Sequence, residues 1–147
     1  MNNMLVTQIT LNTPEKFKFY DLTNQVAEFV KTNNIQQGMV TVRTMHTTTA
    51  VIINENEPCL LRDMQCWLEN IAPSVCAYEH DDMSKRINCP LDEPKNAHAH
   101  LQAALLGSSV TVPVIDGALS LGKWQSVLFV EMDGPRPARN LQIIIQS

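Results

Sequence analysis

The chain has 147 residues, 44 % hydrophobic and 18 % charged, with a formal net charge of −4. That composition predicts a folded globular protein and argues against disorder and against the basic surface of a nucleic-acid binder. No basic leader precedes an apolar stretch, and no apolar run approaches the ~20 residues of a bilayer span, so the expectation is a cytoplasmic protein without membrane contact.

In chain order, Leu5, Thr7, Ile9 and Leu11 alternate with more polar neighbours and predict a half-buried strand. Phe17 to Leu22 reads as a second strand. Leu22, Val26, Phe29 and Val30 recur at helical spacing, which predicts a helix over Thr23 to Thr32, broken at Asn33-Asn34 and Gly38. Met39 to Met45 and Ala50 to Ile53 read as strands, with Val40, Val42, Thr44 and His46 on one face of the first. Leu60, Leu61, Met64, Trp67, Leu68 and Ile71 predict an amphipathic helix, with Pro58 in its first turn and Pro73 at its stop. Tyr78 to Pro94 is polar and reads as a long loop, a segment type that often carries function. Ala97, Leu101, Ala104 and Leu105 form a helical stripe, with Asn96 as the N-cap and Gly107 as the stop. The C-terminal part is strand-rich. Val110, Val112 and Val114 alternate, Asp116-Gly117 marks a hairpin turn, Trp124 to Met132 is apolar on both faces, and Leu141, Ile143 and Ile145 make a last strand. The sum is an α+β fold, sandwich-like, with mixed or antiparallel sheets and two to three helices in one domain spanning 1–147.

Cys59, Cys66, Cys76 and Cys89 contain no Cys-x-x-Cys pair, and four reduced thiols are expected. The chain has only four histidines, His46, His80, His98 and His100. Imidazole is both a metal ligand and a proton carrier near neutral pH. On a regular helix His98 and His100 point about 200° apart, so they serve one metal together only if His98 lies in an extended entry before the helix starts. Glu131 lies in an apolar strand, where a carboxylate needs a partner. Two readings stand: an ion pair with Arg136 or Arg139, or a general acid/base or metal ligand. His46-Thr47-Thr48-Thr49 sets hydroxyls beside an imidazole, a pattern suited to an oxyanion or phosphate, with His46 as a candidate base; an ordinary β-branched strand is the alternative. Asn54 and Glu55 either line a polar cleft or merely precede a helix, and Arg136 offers a planar fork for phosphate or carboxylate.

Four motifs occur in order: His46-Thr47-Thr48 with Ile53-Asn54-Glu55, Asn96 to Leu101, Leu121-Gly122-Lys123-Trp124-Gln125, and Glu131 to Arg136. Together they resemble the YjbQ-like family of small uncharacterised proteins, also labelled secondary thiamine-phosphate synthase. The resemblance implies a compact α+β homotrimer and a pocket near a subunit boundary lined by the histidines and the Glu131 strand. It also implies a weak or accessory joining of pyrimidine and thiazole phosphates into thiamine phosphate, and a divalent metal such as zinc at the histidines. Lys123 stands where many members have Thr, and members vary at the His98 position, which favours His100 as the site residue.

The resulting expectation is a metal-assisted enzyme acting on a small phosphorylated metabolite. In it His46, His80 and His100 hold the metal, and Glu131 and His46 act in catalysis. Thr47, Asn54, Glu55, Trp124, Gln125 and Arg136 bind substrate. The alternatives are a non-catalytic binding module for a phosphorylated metabolite and a structural homotrimer.

Overall fold

A computed structural model describes residues 4–90 and 92–147. Among these described residues eight strands and three α-helices follow one another as β1 (Met4–Thr13), β2 (Lys18–Asp21), α1 (Thr23–Thr32), β3 (Gln37–Thr44), β4 (Thr49–Asn54), α2 (Pro58–Ile71), α3 (Ala97–Leu106), β5 (Ser109–Ile115), β6 (Ala118–Leu119), β7 (Ser126–Glu131) and β8 (Arg136–Gln146). The strands form a five-stranded sheet, β1-β8-β3-β5-β6, and a three-stranded sheet, β2-β7-β4, with every pairing antiparallel. This is the strand-rich α+β arrangement that the hydrophobic patterning predicts. No helix among the described residues is long and apolar enough to cross a membrane.

The core lies between the sheets. Val40, Val42, Val112, Leu141, Ile143 and Ile145 from the larger sheet meet Val51, Val127 and Phe129 from the smaller one, with Leu22, Val26 and Val30 closing the side. The period-2 alternation of β3, β5 and β8 buries one face of the larger sheet. On β7, Val127 to Glu131 are all buried because both faces are covered. The second face of β7 packs through Val130 and Met132 on Ala99 and Ala103 of α3. Helix α3 therefore sits against the three-stranded sheet, and strand alternation sends Glu131 to the opposite side.

Three local readings are corrected. Gly38 is not a break but lies inside β3, where a Cβ would collide with the carbonyl oxygen of Gln146. The apolar stripe of α3 is turned outward beyond its first residue: Leu101 and Leu105 are 52 % and 51 % exposed and Ala104 is exposed, whereas Ala97, His98, Ala99, Gln102 and Ala103 are buried. The contact of α3 with β4 and the β7 end is made by Ala99 and Ala103, and Leu101 and Leu105 are left on the far side. The side chain of Asn96 does not cap α3. Asp81, from a short 3-10 turn over Glu79–Asp81 in the long loop, accepts the N–H of Ala97 at 3.1 Å instead. The predicted loop carries a second such turn over Met83–Lys85. Helix α2 starts as expected at Pro58, and the carboxylate of Glu57 accepts from the N–H groups of Cys59 and Leu60. All four cysteines are free thiols.

Candidate functional site

The register of the smaller sheet divides the predicted residues into two groups. In the β4–β7 pair, Thr49 stands opposite Glu131 and Asn54 opposite Ser126. Six extended residues separate those ends by roughly 17 Å at about 3.3 Å per residue. His46, Thr47, Thr48, Glu131 and Arg136 therefore cluster at one end of the sheet, and Asn54, Glu55, Trp124 and Gln125 belong to the other. Asn54 uses its Oδ1 to accept the N–H of Glu55. Gln125 accepts the N–H of Gly122 at 2.7 Å, and Trp124 is 64 % exposed beneath the Lys123 ammonium, 4.7 Å from the ring centre. Within one chain these four do not join the histidine cluster. The motifs are contiguous in sequence, but an extended strand carries their ends apart.

At the first end, Glu131 is fully buried and its carboxylate is saturated. Arg139 grips both oxygens, Nε to Oε2 and Nη2 to Oε1, each at 2.7 Å. Thr13 Oγ1 donates to Oε2 at 2.8 Å and the Asp133 N–H to Oε1 at 2.9 Å. Of the two readings left open for Glu131, the structure supplies the ion pair, with Arg139 as partner. No lone pair points into open space, so Glu131 is placed to hold Arg139 rather than to move a proton. Arg139 also donates to Thr48 Oγ1 at 3.1 Å, which fixes the turn after β3.

That turn carries His46. Its Nε2 accepts the backbone N–H of Asn140 at 2.8 Å, so the proton of the neutral ring sits on Nδ1. Burial, and then the Arg139 guanidinium, push its pKa below the ordinary histidine value. His46, Thr47, Thr49, Arg43, His100 and Ser108 line a pocket of about 550 Å3 at the junction of β3, β4 and α3. Arg43 and Ser108 were not singled out from sequence. Arg43 sits on the solvent-side alternation of β3, a position that by pattern alone is only a solvated surface charge.

His100 faces His80 edge-on, with ring centres 4.9 Å apart. Burial, and then the neighbouring His80, push the His100 pKa down. Asn96 links this pair to the turn after β7: its Nδ2 donates to Asp133 Oδ2 at 2.8 Å, so its Oδ1 accepts, and His80 Nε2 donates to it across 3.2 Å. Arg136 donates to the same Asp133 oxygen at 2.8 Å and does not line the pocket with Thr47.

The expected three-histidine metal site does not fit this arrangement. His46 Nε2 is occupied by an N–H donor and its Nδ1 carries the proton, so the ring has no lone pair to give. Among the described residues no group of three or more His, Cys, Asp or Glu side chains is placed to hold a metal ion. His98, turned away from His100 by the helix, lines a separate small cavity.

The family model described as UPF0047 protein YjbQ-like matches residues 7–147. The chain belongs to that family. A UPF0047 protein of Archaeoglobus fulgidus is 43 % identical over 132 residues, covering 90 % of this chain and 94 % of the relative. The UPF0047 protein YugU of Bacillus subtilis is 30 % identical, covering 90 % and 92 %. A crystal structure of a YbjQ-like protein of unknown function from Sulfolobus solfataricus superposes with a TM-score of 0.89 at 29 % identity, over 100 % of this chain and 99 % of the other. A hypothetical protein from Aeropyrum pernix K1 superposes at 0.83 with 34 % identity, over 95 % and 96 %. The family likeness thus spans the whole described fold, and it brings no stated activity with it.

Proposed function

We propose that the chain is an enzyme acting on a small phosphorylated substrate held in the pocket between His46 and His100. The observation that carries this reading is the set of donors lining one pocket of about 550 Å3: the Arg43 guanidinium, the hydroxyls of Thr47 and Ser108, and the Nδ1–H of His46. Among the described residues Arg43 makes no ion pair, so its charge is free for an anion. The volume falls within the usual range of about 300–1,000 Å3 for small-molecule sites.

In this reading His46 acts as a fixed hydrogen-bond donor, because Asn140 occupies its other nitrogen. Arg43 and Thr47 grip the phosphate. His100, held neutral near pH 7, offers a hydrogen bond to the substrate from the opposite wall. Glu131 is a positioning residue: it anchors Arg139, which orders the Thr48 turn and disfavours the charged form of His46. Thiamine-phosphate formation is the first reaction to assay. There the pyrimidine loses pyrophosphate as the thiazole nitrogen attacks, and Arg43 with the His46 N–H would stabilise the departing diphosphate charge.

We also propose that the chain assembles as a homotrimer. The outward leucines of α3 support this, because they flank the rim residues Ala103 and Ala104, and a neighbouring copy on that face would close the pocket.

The test is calorimetric binding of pyrophosphate to the wild type, Arg43→Ala and His46→Ala, followed by incubation with the two thiamine precursors. Binding lost in both variants, with thiamine phosphate formed by the wild type, supports the enzyme. Binding without turnover would leave a binding module, and no binding by the wild type would remove both.

A further inference from the structure

The five-stranded sheet ends at β1, which pairs with β8 and, among the described residues, with no other strand. Its ten residues hold no charged side chain, no proline and no glycine, and the irregularity in its register, between Leu11 and Thr13, lies at its far end. Charges, prolines and bulges are the usual devices that keep an open edge from pairing. Most of this edge, about 30 Å long at about 3.3 Å per residue, is therefore left ready to accept a strand.

The side chains beside the edge carry the same mark. On β3, β5 and β8 the inward-facing Val40, Val42, Val112, Val114, Leu141 and Ile143 are fully buried. On β1 the corresponding Leu5, Ile9 and Leu11 pack on the core but stay only partly buried, because no strand lies on their other side. Phe29 of α1 is also partly buried, and with Thr7, Ile9 and Ile143 it lines a groove of about 710 Å3 between α1 and β1. The α1 wall of that groove runs from Asn24 to Thr32. That is about 12 Å at 1.5 Å per residue, the length of about four residues of extended chain.

The dimensions select the occupant. A second copy meeting this edge strand to strand would share a contact about 30 Å long and about 10 Å deep, on the order of 300 Å2 per copy. A stable pair of globular proteins needs about 800 Å2 per partner. A single extended segment is instead held from two sides, by the main chain of β1 and by α1. Glu28 is the one charged side chain among the lining residues, and its Oε1 accepts the Thr32 hydroxyl at 3.3 Å on the rim. The groove thus favours a basic residue in the segment over an acidic one. We propose that this groove binds a short extended peptide segment, apolar at alternate positions and carrying Lys or Arg, which adds to β1 as a sixth strand. The segment's main chain pairs with the open edge, its inward side chains cover Ile9 and Phe29, and its cation meets Glu28. The groove shares no lining residue with the phosphate pocket, so the proposal stands or falls without it.

The test is amide hydrogen exchange of the ¹⁵N-labelled full chain, read by NMR, with the probe acetyl-Lys-Val-Thr-Val-Thr-Val-amide. Two further peptides serve as controls, one with Glu in place of Lys and one with its backbone amides N-methylated. The expected result is that the β1 amides pointing away from β8 exchange at least tenfold more slowly under saturating Lys peptide. The Glu peptide should bind at least threefold more weakly, the order should reverse in Glu28→Lys, and the N-methylated peptide should protect nothing. Glu28 is exposed, so that variant keeps the fold, which its backbone spectrum checks. No slowing at millimolar peptide, equal protection by the N-methylated peptide, or an unchanged preference in Glu28→Lys would overturn the proposal. So would edge protection in the free protein that rises with protein concentration, because the edge would then belong to a second copy.

Discussion

Replacing Arg139 by Met removes one half of the buried pair and leaves the other intact. Glu131 then keeps two of its four hydrogen bonds, from Thr13 and the Asp133 N–H, and loses the two charge-assisted ones. Each such bond contributes about 1.5–3 kcal/mol, and stranding one member of a buried ion pair costs about 3–5 kcal/mol, so Arg139→Met is expected to lower stability by about 4 kcal/mol. Glu131→Leu strands Arg139 in the same way and should cost a similar amount. The double variant removes both charges. Thr13 can then turn to the Arg136 carbonyl, which already lies 3.2 Å away, and the Asp133 N–H and the Thr48 hydroxyl are left without the partners they had. The double should therefore cost about 1–3 kcal/mol, far less than the sum of the singles. Urea unfolding followed by circular dichroism, at one protein concentration so that assembly does not shift the midpoints, reads all four states. Singles costing under about 1 kcal/mol with an additive double would refute the reasoning. Glu131 would then be hydrated, and its use as an acid or base would return.

Further outcomes follow from the same geometry. Gly134→Ala would drive a Cβ into the backbone carbonyl of Glu15, which cannot swing aside as a side chain would, so a loss of several kcal/mol or failure to fold is expected in thermal unfolding. Asp81→Ala should cost about 0.5–2 kcal/mol by uncapping α3, read as a lower urea midpoint, and an unchanged midpoint would return the cap to another group. His46→Ala should leave the metal content of the purified protein unchanged by elemental analysis, because the Nε2 lone pair already receives the Asn140 N–H. His46, His98 and His100 all have folded pKa values below the ordinary histidine value, chiefly through burial. The unfolded chain therefore binds more protons, and stability is full above about pH 6.5 and declines as the pH falls below it. Urea midpoints between neutral pH and pH 5 should drop, and His98→Gln should flatten that drop.

What the sequence made legible is what periodicity encodes. The alternation of β3, β5 and β8 and the helical spacing of α1 follow from which atoms are removed from water; they place β3, β5 and α1 to within a residue or two, while β8 begins at Arg136, well before its predicted apolar positions. The outward leucines of α3 show where that logic fails. A stripe of Leu and Ala reads as a buried face only if bulk decides burial. Here the face of α3 turned to the β4–β7 pair carries Ala99 and Ala103, with His98 and Gln102 also buried, while Leu101 and Leu105 stay out. The same inversion hid the cavity behind His98. A histidine beside alanines on a helix reads as packing, and nothing in the linear order signals that Lys16, Glu69 and Ser74, from three separate segments, surround the same space. The partner of Glu131 was also beyond sequence, because chain distance favours Arg136 whereas the buried partner is the more distant Arg139.

The division of the motifs into two ends of one sheet bears directly on the proposed assembly. Asn54, Glu55, Trp124 and Gln125 stand roughly 17 Å of strand away from Thr49 and Glu131, so one chain cannot bring both groups to one substrate. If both groups serve a single site, a second copy must supply the Trp124 end to the first copy's His46 end. Leu101→Lys with Leu105→Lys, both on the exposed face of α3 beside that pocket, should then dissociate the assembly in sedimentation velocity and weaken pyrophosphate binding together. Monomers that bind pyrophosphate as tightly as the wild type would show that the His46 end is complete in one chain and that the Trp124 end does other work.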